Sequence, residues 1–174
     1  FDRQYGELPL GYDHKYVYSH FGYNLKATDM QAAVGCAQLE KFPGFVKRRR
    51  HNFERLHKAL EDLSGKLILP EPCPGSMPSW FGFLLTCLEG VDRNKVVQYL
   101  EEQGIQTRML FAGNLTRHPC FDPMRMTGDG YRVVGNLSVT DRIMKDTFWV
   151  GVYPGMTDVM IDTMAQAIHE AVRK

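Results

Sequence analysis

Apolar positions along this chain first settle into a sustained period at residue 28. Met30, Ala33, Val34 and Ala37 recur at helical spacing through Leu39, with Thr28 placed to cap the first turn and Asp29 where the helix dipole favours an anion. The 27 residues before them are rich in Tyr, His and Gly without a period, and read as a short strand or extended segment followed by a loop. Pro43-Gly44 interrupts the first helix. A second is expected over 45–63, where Val46, Phe53, Leu56, Leu60 and Leu63 make one apolar stripe and Gly65 supplies the stop.

Beyond a proline-rich connector from Pro70 to Pro78, the nearly continuous aromatic and aliphatic run 79–87 is of strand length and reads as an interior strand. Asp92 caps a short helix carrying Val96, Val97 and Leu100, which ends at Gly104 before a strand over 105–111. Residues 112–135 mix glycines, prolines and charges without a period, longer than a plain connection needs, which points to a functional loop. Thr140 or Ser138 opens another helix, 147–153 alternates as a strand, and Thr157 caps a final helix whose buried side is marked by Val159, Ile161, Met164, Ile168 and Val172. The expectation is an α+β domain: a small antiparallel sheet with helices packed on one face, entered through a helical hairpin.

At 174 residues, 44% hydrophobic and 24% charged, the chain suits one globular domain whose core needs no disulfide or metal staple. Lys plus Arg total 21 against 20 for Asp plus Glu, so nothing favours a nucleic-acid partner. No apolar stretch approaches the ~18 residues of a membrane span. The polar start, Phe1 to Tyr5, carries no export signal and no initiator Met, which suggests a piece of a longer cytoplasmic polypeptide. Cys36, Cys73, Cys87 and Cys120 form no CxxC pair and are read as buried apolar fillers. The six histidines include no H-x-x-x-H pair, so no metal site is expected. Gly128-Asp129-Gly130 with Gly135 fails as a dinucleotide fingerprint, because the third glycine is misplaced and no strand leads into it. Asn114-Leu115-Thr116 and Asn136-Leu137-Ser138 fit the glycosylation pattern by chance, lacking a secretory context.

Three stretches carry candidate chemistry. The basic run Lys47 to His51 spreads around a helix at about 100° per residue and reads as a solvated face, with Glu54 in reach of Arg50, rather than as a phosphate groove. Tyr23-Asn24-Leu25-Lys26, just before the Thr28 cap, could present donors to an anion, although residue physics alone reads it as an ordinary turn. Arg108, with Asn114, Arg117 and His118 on the following loop, suits either phosphate and sugar hydroxyls or plain surface. No complete catalytic set is present.

Taken together, Gly11 to Ala33 (with Tyr12-Asp13-His14-Lys15-Tyr16 and Gly22-Tyr23-Asn24-Leu25-Lys26), Gly104 to Arg108 with Asn114-Leu115-Thr116-Arg117-His118-Pro119, and Phe148-Trp149-Val150-Gly151-Val152-Tyr153-Pro154-Gly155 resemble one known group. They are similar to the C-terminal portion of the DegT-type sugar aminotransferase family, closest to its CDP-4-keto-6-deoxyglucose 3-dehydrase branch of lipopolysaccharide and O-antigen dideoxysugar synthesis. The resemblance implies the small domain of a fold type I homodimer. Pyridoxal or pyridoxamine 5′-phosphate would be bound mainly by an upstream large domain, where a histidine replaces the Schiff-base lysine. A [2Fe-2S] cluster fed by an electron-donating reductase also belongs to that upstream part, and neither His14, His20 nor the four cysteines inherit these roles. Residues 1–44 would pack on the large domain and 45–174 would form the small one. The resemblance assigns Asn24 to the cofactor phosphate, across the dimer. Lys26, Arg108, Asn114, Arg117 and His118 fall to a CDP-4-keto-6-deoxyhexose substrate, with no catalytic residue in this chain, which is expected to be inactive alone. A sugar aminotransferase domain and a non-catalytic interaction module are the alternatives.

Overall fold

A computed structural model describes residues 4–23 and 25–173. The chain divides into two compact units, Phe1–Glu40 and Lys41–Lys174, with the division falling inside the long helix α1, Asp29–Leu60. In the first unit the expected strand is not found among the described residues. Leu8, Tyr12 and Tyr16 instead donate to the carbonyls of Tyr5, Pro9 and Asp13, three residues back in each case. Gly, Pro and Asp recur at turn spacing here, so the backbone closes its hydrogen bonds locally. Thr28 and Gln31 cap α1 reciprocally: the Gln31 amide donates to Thr28 Oγ1 at 3.3 Å and the Thr28 amide to Gln31 Oε1 at 2.9 Å.

The expected helical hairpin is a single helix, with Pro43 inside α1. Pro43 removes one donor, at a cost of about 3 kcal/mol. A break would orphan up to four amides and four carbonyls, and no Ser, Thr, Asp or Asn lies between Leu39 and Asn52 to cap a restart.

In the second unit, four strands form a sheet in the order β1 (Leu67–Ile68), β2 (Gly82–Cys87), β4 (Thr147–Gly151), β3 (Thr107–Met109), with antiparallel neighbours throughout. Helix α2 (Arg93–Glu102) connects β2 to β3, and β4 enters between them. Two further helices, α3 (Asp122–Thr127) and α4 (Ser138–Asp146), lie in the β3–β4 connection. Residues 112–135 are therefore not featureless: two 3-10 turns, Leu115–Arg117 and Pro119–Phe121, precede α3.

Alternation divides the sheet. Phe83, Leu85, Cys87, Phe148 and Val150 turn into a core completed by Leu56 and Leu60 of α1, Val96 and Leu100 of α2, and Ile161, Met164 and Ile168 of α5 (Asp158–Ala171). Thr157 caps α5. Val159, expected inside, is 73% exposed; it precedes Ile161 by two residues, about 200° around the helix. Of the cysteines only Cys87 is buried, which pushes its thiol up to about 11, while Cys36, Cys73 and Cys120 are exposed.

The basic run is a set of clamps rather than a solvated face. Arg48 donates to the Met156 carbonyl at 2.9 Å and to Asp158 at 2.7 Å, Arg49 to Ser79 at 3.4 Å, and Arg50 to the carbonyls of Met77 and Pro78. His51 meets Asp158 at 3.0 Å and Arg55 grips Asp162 with two bonds of 2.7 Å. Buried Asn52 donates to the Tyr153 carbonyl at 2.9 Å. One stretch of α1 thus ties down both the turn before α5 and the proline-rich connector. Hydrogen bonds from His51 and then Arg48 hold the Asp158 carboxyl below the usual range, and Arg55 does the same for Asp162.

Two outcomes follow from this packing. Asp158 and Asp162 contribute stability that is complete above the ordinary carboxylate pKa of about 4 and lost as pH falls through their lower folded values. Urea midpoints measured from pH 6 to pH 2 should therefore drop below about pH 4, less steeply in Asp158→Asn; an equal slope in the variant would refute the clamp. At Gly82 an added Cβ would lie 2.6 Å from Trp149 Cε3, so Gly82→Ala should cost about 1–3 kcal/mol in urea unfolding.

Candidate functional site

The sheet's second face, away from the core, is built by the same alternation. Leu84 pairs with Trp149, and Trp149 with Arg108 on β3, so the three make one row across the strands. The indole is fixed from several sides. Its Nε1–H donates to the Met109 carbonyl at 3.1 Å, the Phe81 ring stands edge-on at 5.4 Å, and Gly82 lies beneath it where a side chain would collide. Trp80, Phe81, Leu84, Phe111 and Trp149 wall a groove of about 430 Å³, with Glu71 at its rim. Phe111 is 77% exposed and adopts φ +48°, a conformation costly for an aromatic residue.

The loop after β3 is shaped around one carboxylate. Asn114 is buried and caps the turn Leu115–Arg117: its Oδ1 accepts from the Thr116 amide at 3.1 Å, and its Nδ2 donates to Asp141 Oδ1 at 2.6 Å. Arg117 donates to Asp141 Oδ2 at 2.6 Å. Those hydrogen bonds, Arg117's first and Asn114's second, hold the Asp141 carboxyl below its ordinary range. His118 Nε2–H donates to the Ala112 carbonyl at 2.7 Å, and Arg125 reaches the carbonyls of Thr116 and His118. Gly113, at φ +58°, has no room for a side chain, since a Cβ would lie 2.5 Å from Met144 Cγ.

The structure thus gathers Asn114 and Arg117 on Asp141 and keeps His118 in the same loop, while Arg108 sits on the neighbouring strand, exposed and without an ion-pair partner among the described residues. Lys26 belongs to the other unit, where it is exposed, and Asn24 lies outside the described residues. Sequence reasoning missed Asp141, which joins the loop across 24 and 27 residues and leaves no local signal. It also missed Trp149, although alternation from Phe148 to Gly151 separates it from buried Phe148 and Val150.

Lys26 is exposed and has no ion-pair partner among the described residues. The donor chemistry of an iron–sulfur cluster is another matter: among the described residues no three His, Cys, Asp or Glu side chains gather where they could hold a metal. Nor is any described helix long and apolar enough to cross a membrane.

Residues 3–169 match the profile of the DegT/DnrJ/EryC1/StrS aminotransferase family. The lipopolysaccharide biosynthesis protein RfbH of Salmonella typhimurium strain LT2 is 52% identical over 98% of this chain and 38% of its own length. The dTDP-4-dehydro-2,6-dideoxy-D-glucose 3-dehydratase of Saccharopolyspora spinosa is 49% identical over 100% of this chain and 37% of its own. The chain therefore spans well under half the length of these relatives. Among solved structures, the E. coli GDP-4-keto-6-deoxy-D-mannose-3-dehydratase with bound hydrated PLP superposes with TM-score 0.73 at 26% identity, covering 88% of this chain and 38% of that one. The architecture is that of fold type I pyridoxal phosphate enzymes.

Removing the Asn114 side chain should loosen the loop while sparing the core. In Asn114→Ala, loss of the cap is worth about 1 kcal/mol, so amide exchange at Thr116 should quicken roughly five-fold while Phe148 and Val150 stay protected; unchanged exchange would contradict the anchoring role.

Proposed function

Since this chain belongs to the DegT/DnrJ/EryC1/StrS aminotransferase family, we propose that it is the C-terminal domain of a pyridoxamine phosphate-dependent nucleotide-sugar 3-dehydratase acting on a CDP-4-keto-6-deoxyhexose in lipopolysaccharide synthesis. The observation that carries this reading is near-half identity, sustained along the whole chain, with a lipopolysaccharide biosynthesis protein and a sugar 3-dehydratase. In the complete homodimeric cytoplasmic enzyme the cofactor, with Asn24 and Lys26 at its phosphate, would supply an amine for the sugar's C4 ketone and an electron sink for departure of the C3 hydroxyl.

This chain's own share is binding and placement. Asn24 donates an uncharged amide to the cofactor phosphate and Lys26 brings a cation to that phosphate or to the nucleotide. Arg108, Arg117 and His118 approach the nucleotide sugar. Arg117 and His118 already spend hydrogen bonds on the loop, so what they offer the substrate is the remaining face of each group. Asn114 enters as a positioning residue, because its amide is committed to Asp141 and Thr116. Among the described residues no set of donors gathers for an iron–sulfur cluster.

The complete polypeptide, supplied with pyridoxamine phosphate, an electron donor and CDP-4-keto-6-deoxyglucose, should release the C3 hydroxyl; transfer of an amino group to C4 instead would make it a sugar aminotransferase. This chain alone should show neither cofactor absorbance nor turnover. Asn24→Ala in the complete enzyme should weaken cofactor retention by about 1–3 kcal/mol, the worth of a hydrogen bond to a charged group, and unchanged retention would remove Asn24 from the phosphate.

A further inference from the structure

The aromatic groove on the open sheet face is held in place at a cost that the fold does not explain. An exposed Phe111 is kept at positive φ, Phe81 is 61% exposed, and Gly82 gives up a side chain so that the Trp149 ring can lie flat across it. Exposed aromatic planes fixed this firmly suit a flat ring better than a flexible chain. A volume of about 430 Å³ accommodates a base with its ribose.

Two polar groups, Glu71 in the groove lining and Arg108 on the strand beside Trp149, define the ligand further. Arg108, the residue paired with Trp149 across the strands, has no ion-pair partner among the described residues, and a diphosphate would complement it. Glu71 lines the groove, with its Oε1 accepting from His57 Nε2–H at 3.1 Å. That bond orients the carboxylate, whose second oxygen has no hydrogen-bond partner among the described residues. A carboxylate accepts from an exocyclic amine, as cytosine N4 offers, and repels the carbonyl oxygen that uracil presents at the same place. The geometry points to this groove as the nucleoside diphosphate subsite: the base stacks on Trp149 and Phe111, Glu71 favours cytosine over uracil, and Arg108, on the strand beside the groove, takes the diphosphate. This rests on the nucleotide-sugar reading above and deepens it, adding the residues that choose the base.

Calorimetric titration of the complete polypeptide with CDP, UDP and inorganic pyrophosphate tests it without turnover. CDP should bind about ten-fold tighter than UDP, and Glu71→Gln should close that gap. Trp149→Leu and Phe111→Asn should each weaken CDP about ten-fold, the order expected for a lost base stack, and leave pyrophosphate unchanged, whereas Arg108→Gln should weaken both. If wild type binds CDP but all four variants match it, another segment fills the groove: the inference fails and the proposed function stands. Equal affinity for CDP and UDP overturns the choice of base. Parallel loss of CDP and pyrophosphate in Trp149→Leu and in Phe111→Asn marks a collapsed site and overturns the stacking. A wild type that binds no nucleoside diphosphate sinks the nucleotide-sugar reading and this one with it.

Discussion

Strand β4 is the constraint from which the rest of the second unit follows. It pairs with β2 on one side and β3 on the other, so five consecutive residues decide what both flanks of the sheet present. Phe148 and Val150 turn inward against Leu85 and Phe83, beneath α1, α2 and α5. Trp149 between them turns outward, beside Leu84 and Arg108. Because the side-chain period is two, the core and the open face cannot be changed independently: a register slip of one residue would bury Trp149 and expose Phe148. The aromatic groove is in that sense the reverse side of the core.

Helix α1 supplies the second half of the architecture by using its charges as tethers. Arginines at 48, 49 and 50, followed by His51, Asn52 and Arg55, point in several directions and meet carbonyls, carboxylates and, for Arg49, the Ser79 hydroxyl. The proline-rich connector illustrates why this is needed. A stretch containing Pro70, Pro72, Pro74 and Pro78 has few amides to pair with a sheet, so its carbonyls are met by Arg50 instead. These bonds lie at half-buried positions, so their role is to fix where chain segments run more than to add large stability.

How much of the site could be read beforehand differs by residue type. Arg108, Asn114, Arg117 and His118 lie close together in sequence at a strand end and its loop, the kind of place where function concentrates. Their separate jobs were not legible. Asn114 looks like a ligand donor in the sequence and is a buried cap in the fold; Arg117 looks free and is bonded to Asp141. The same holds for the basic run, where residues spread around a helix looked solvated until α5 and the connector were seen packed against them.

The sequence by itself determined the local elements whose signals are short-range: Thr28, Asp92 and Thr157 as caps, the apolar run of β2 and the alternation of β4, the stripe Leu56-Leu60-Leu63, and the likeness to a sugar-modifying family. Propensity, capping and periodicity act within a few residues and survive into the fold. Tertiary structure alone decided that α1 runs through Pro43, that β4 enters between β2 and β3, that Asp141 holds the loop, and that Arg48 reaches Asp158 across 110 residues. Each of those depends on a partner brought close only by the completed packing, and a contact between distant segments leaves no period along the chain from which it could be read.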